Sequence, residues 1–104
     1  MLLSTTETIV GKKIIKHIGL VRGNTIRARH IGKDIIAGLR NIVGGEISDY
    51  TKLMAESREQ ALDRMSEHAR QLGSNAIVGV RFSTSMIMQM ASEILVFGTA
   101  VVVE

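Results

Sequence analysis

Three methionines alternate in the stretch "MIMQM": Met86, Met88 and Met90. On a strand every second side chain projects to one side, so a regular strand would gather three thioethers on one face. Thioether sulfur is a soft donor that suits Cu(I) or Ag(I). The same parity continued backward takes in Val78, Val80 and Phe82. That continuation favours core or subunit contact, where flexible methionine fills irregular gaps.

Arg27 and Arg29 are a second candidate, with Arg22 and Lys16 nearby in sequence. At i and i+2 on a strand they point the same way and would gather an anion such as a phosphate or an acidic metabolite. No aromatic residue is interleaved among them to stack a base, so single-stranded nucleic acid is a poor fit. The histidines, His17, His30 and His68, make no HxH or HExxH pattern. A zinc site needs three or four converging ligands, and the sequence offers no such cluster. Nothing like G-x-S-x-G announces a hydrolytic triad, so an enzyme is the least supported class. Gly44-Gly45 follows an apolar helix-like run and lacks the strand-before, helix-after setting of a phosphate loop. It reads as the left-handed end of a helix and a hinge.

The elements that must position these residues are marked by glycine, since the chain contains no proline. "KKIIKHIGLV" and "RGNTIRARHI" read as a β-hairpin turning at Arg22-Gly23-Asn24. In "KDIIAGLRNIV", Ile31, Ile35, Leu39 and Ile42 share one helical face. A second, longer helix begins near Ser48 or Asp49, which can cap it. It carries a stripe of Tyr50, Leu53, Met54, Ala61, Met65, Ala69 and Leu72, and Gly73 stands where a left-handed C-terminal cap belongs. "NAIVGVRFSTSMIMQM" and "SEILVFGTAVVVE" are then an antiparallel strand pair. The last strand is apolar on both sides: Leu95, Phe97, Thr99, Val101 and Val103 on one, Ile94, Val96, Gly98, Ala100 and Val102 on the other. Two dry faces call for cover by helices or by another subunit, and Leu95, Phe97 and Val101 are the expected oligomer contacts.

The chain of 104 residues fits one domain, residues 1–104. Tyr50, Phe82 and Phe97 are its only aromatics, so the core is aliphatic and gains little from ring burial. The absence of cysteine excludes disulfides and thiolate chemistry. The N-terminus lacks the regions of a signal peptide, and the expectation is a soluble cytoplasmic protein. Residues 1–40 carry eight Lys or Arg against two acids, and residues 41–104 five against eight. The asymmetry fits an anionic partner or simply a solvated basic face.

The run "GKDIIAGLRNIVGGEISDYTKLMAESREQAL", then "ARQLGSNAIVGVRF" and "FGTAVVV", resembles the YbjQ-like family of small uncharacterised proteins. Arg40, Val43-Gly44-Gly45, Tyr50, Leu72-Gly73 and Val78-Gly79 carry the resemblance, which covers nearly the whole chain. It implies an α+β subunit assembling as a homopentamer, with sheets around the ring axis and helices outside. It also implies heavy-metal binding, the property for which the family is catalogued. Typical members carry alternating acids on the strand after Val78-Gly79, whereas this chain has Arg81, Ser83 and Ser85. A carboxylate cation site would lose its ligands there. The expected function is that of a non-enzymatic oligomeric binding protein, with an anion- or nucleic-acid-binding ring built on the basic N-terminal half as the alternative.

Overall fold

A computed structural model describes residues 1–28, 48–88 and 91–104. Its elements are β1 (Leu2–Leu3), β2 (Ile14–Ala28), α1 (Ser48–Gln71), β3 (Ala76–Met88) and β4 (Ala91–Val103). The strands form one sheet in the order β1-β3-β4-β2. The pairs β2–β4 and β3–β4 are antiparallel, and β1–β3 is parallel. The architecture is α+β, with α1 lying on one face of the sheet, chiefly over β2.

The N-terminal hairpin expected from Arg22-Gly23-Asn24 does not form. β2 is one strand of 15 residues, about 50 Å long at strand rise, and it pairs with β4 along its length, from Ile14 opposite Val103 to Ala28 opposite Ala91. Gly23 is not a turn residue but the point where the helix crosses. A Cβ at position 23 would overlap the carbonyl oxygen of Ala61 and lie 2.5 Å from the backbone nitrogen of Met65. Only glycine admits a backbone so close.

The long helix follows its stripe: Ala61, Met65 and Ala69 are fully buried against Val21, Ile77, Ile94, Val96 and Ala100. Ser57 is buried too, bonding the Leu53 carbonyl at 2.8 Å through Oγ, while its own carbonyl accepts from Thr25 Oγ1 at 3.3 Å. Gly73 has φ +86° and ends the helix as expected. Its N–H bonds Arg70 O at 3.0 Å and the Ser74 N–H bonds Ala69 O at 3.0 Å, the paired bonds of a Schellman cap. Leu72 falls beyond the last helical residue and is exposed. The other expected helix, on "KDIIAGLRNIV", lies outside the described residues, as does Gly44-Gly45.

The two apolar faces of β4 meet different cover. Ile94, Val96 and Ala100 face the helix. Val101 and Val103 join Ala76 and Val78 in a second cluster, packed by Ile9 and Ile14. The chain's own N-terminal segment therefore covers part of the face that sequence assigned to helices or a neighbour. Ser4 N bonds Ile77 O at 2.9 Å, Val80 N bonds Ser4 O at 3.0 Å and Gly79 N bonds Thr6 O at 2.9 Å. This seam holds the segment along the outer edge of β3.

Candidate functional site

Two bulges decide which residues of β3 share a face. Val78 is opposite Thr99 but Arg81 is opposite Phe97, so β3 has one residue more than β4 over this step. Gly79, at φ +64°, supplies the left-handed backbone of the bulge. A second extra residue falls between Met86, opposite Ser92, and Met88, opposite Ala91. The alternation that would align the methionines is therefore broken in both directions. Val78 leaves the parity of Val80 and Phe82, and Met86 and Met88 are opposite successive residues of β4. Met86 is exposed at 71% and Phe82 at 46%, so neither is core. Met90 lies outside the described residues.

Arg27 of β2 is opposite Ser92 of β4, and Arg29 lies outside the described residues. His17 lies on β2 and His68 on α1, and His30 is outside the described residues. Among the described residues no three of His, Cys, Asp or Glu gather to hold a metal ion. Arg81 donates from Nη1 to the carbonyls of Thr5 at 2.7 Å and Val80 at 2.9 Å. A cation beside it would be repelled. The described residues therefore do not fit a metal site.

What the register does assemble is the open face of the sheet, opposite the helix. Directly paired residues of antiparallel strands share a face. Rows run Leu20–Thr99–Val78, Arg22–Phe97–Arg81, Asn24–Leu95–Ser83 and Ile26–Glu93–Ser85. Leu95 and Phe97 are half-buried here, while Val101, expected as an oligomer contact, is fully enclosed within the chain's own fold and leaves no surface for one. Asn24 Nδ2 donates to Glu93 Oε2 at 3.1 Å across this face. Sequence reading missed the Arg22–Phe97–Arg81 row because its members are far apart in the chain and the Gly79 bulge sets their phase.

Among the described residues two sheet edges are open. β2 has no strand on its outer side among the described residues, and β3 is covered by β1 and the Ser4–Thr6 segment only as far as Val80. Ile15, Leu20 and Ile26 are exposed on β2, and Phe82, Met86 and Ile87 on β3. The shallow depression on the outer side of α1, lined by Lys52, Glu56, Arg58, Glu59 and Asp63, is a solvated charged helix face.

The YbjQ family model, described as "Putative heavy-metal-binding", matches residues 1–104. The chain belongs to the YbjQ family. An uncharacterised UPF0145 protein of Dehalococcoides mccartyi is 61% identical over 104 residues, covering 100% of both chains. A UPF0145 protein of Hahella chejuensis is 54% identical over 104 residues, again covering 100% of both. The crystal structure of a protein of unknown function, of the DUF74 family, from Pediococcus pentosaceus matches with a TM-score of 0.67 at 14% identity. That match covers 100% of this chain and 98% of the other, and it supports the YbjQ fold alone. No helix among the described residues is long and apolar enough to cross a membrane.

Proposed function

We propose that this YbjQ-family chain is a subunit of a closed homo-oligomer, a pentamer by family resemblance, acting in the cytoplasm as a non-enzymatic binding protein. The open sheet edges carry the reading. A long strand edge with exposed apolar side chains is a template for pairing with another chain, and β2 and the outer part of β3, Arg81–Met88, are two such edges on opposite sides of one sheet. Joining the β2 edge of one subunit to the β3 edge of the next is a heterologous contact. Repeated with closure it makes a ring and leaves no free edge. With α1 outside, the Leu95–Phe97 face turns toward the ring axis.

Cysteine pairs test this cleanly because the chain has none of its own. β2 and β3 of one subunit are separated by β4, so their Cα atoms are about 10 Å apart, too far for a disulfide. A panel pairing Asn24→Cys or Ile26→Cys with Ser83→Cys or Ser85→Cys should give, on oxidation, a ladder of covalent multimers ending at the ring size. An oligomer in which every pair stays uncrosslinked would place the interface elsewhere.

A further inference from the structure

We infer that the Arg22–Phe97–Arg81 row is a nucleotide-binding site, with the base stacked on Phe97 and the phosphates held by the flanking guanidiniums. Register puts the three side chains in line across three strands, on the face away from the helix. The two arginines stand about 10 Å apart at the backbone, with the aromatic between them. Arg22 is exposed and makes no hydrogen bond or ion pair among the described residues. Arg81 is oriented by the Thr5 and Val80 carbonyls through Nη1 alone, which leaves Nε and Nη2 to donate. Guanidinium is the group best matched to phosphate oxygens, through paired charge-assisted hydrogen bonds. An aromatic on a sheet surface accepts the π-face of any base. The hydroxyls of Thr99 and Ser83 and the side chain of Leu95 occupy neighbouring places on the face. The nearest carboxylate on β4, Glu93, is four residues from Phe97, about 13 Å along the strand, and is engaged by Asn24.

The inference rests on the ring reading in one respect: where copies assemble, the face must stay uncovered, turned to the interior of the assembly. Calorimetric titration of ATP into the full-length protein, without divalent cation, tests it, with pyrophosphate as the base-free control and the mass of the assembly measured on the same sample. ATP should bind. Arg22→Gln, at an exposed position with no partner among the described residues, should weaken ATP at least roughly tenfold, as should Arg22→Gln with Arg81→Gln. Phe97→Leu should weaken ATP severalfold and leave pyrophosphate unchanged, and Lys12→Gln with Lys13→Gln should change neither. An intact ring that does not bind ATP overturns the site. So does binding that ignores Phe97→Leu, or that falls as far with the lysine pair, since diffuse charge would then explain it. A monomer that binds ATP through Arg22 and Phe97 supports the site and overturns the ring.

Discussion

Gly23 of β2 passes directly beneath the Ala61 carbonyl of α1, with no room for a side chain between the two backbones. The fold turns on this crossing. Thr25 and Ser57 make their hydrogen bond beside it, and Arg64 Nη1 reaches the Asn24 carbonyl at 2.6 Å. Gly23→Ala should therefore lower stability by about 1–3 kcal/mol, as overpacking does, with a matching fall in the urea midpoint. An unchanged midpoint would mean that the helix stands off from the strand.

Gly79 makes the opposite case. Nothing lies within 4 Å of a Cβ built there, and the backbone is at φ +64°. Gly79→Ala should cost about 1–2 kcal/mol from backbone conformation alone, and Gly79→Asn less, because Asn tolerates the left-handed region. Equal losses for the two variants in thermal melts would count against the bulge.

Asn75 substitutes for a strand neighbour at the end of β4. Its Nδ2 donates to Val103 O at 2.8 Å and its Oδ1 accepts from Val103 N at 2.8 Å. Asn75→Ala should destabilise by about 1–3 kcal/mol and speed amide exchange at Val103. Protection at Val103 that survives the substitution would rule out the pairing.

Met65 is fully buried at the centre of the helix stripe. Met65→Ala should cost about 2–5 kcal/mol. A loss under 1 kcal/mol by denaturant titration would place it outside the core.

The long helix was legible in the sequence because a wide stripe and a glycine cap both act locally. Ala61, Met65, Ala69 and Gly73 all lie where spacing put them. β3 and β4 were legible for the same reason. β2 was misread because Gly23 has two uses, turn and close approach, and only the helix 38 residues later decides between them. The methionine stripe failed because strand parity holds only between bulges, and the extra residues near Gly79 and Ile87 each shift the phase. The row Arg22–Phe97–Arg81 depends on pairing across three strands, which no local pattern records. Among the residues of the basic N-terminal half, Arg22 faces outward beside an aromatic that belongs to the other end of the chain.

Whether the two open edges close a ring is decided by native mass spectrometry of the purified protein. A ring of this kind should register as a single assembly of five copies of the 11.4 kDa chain, about 57 kDa. A monomer at 11.4 kDa across the accessible concentration range would contradict it.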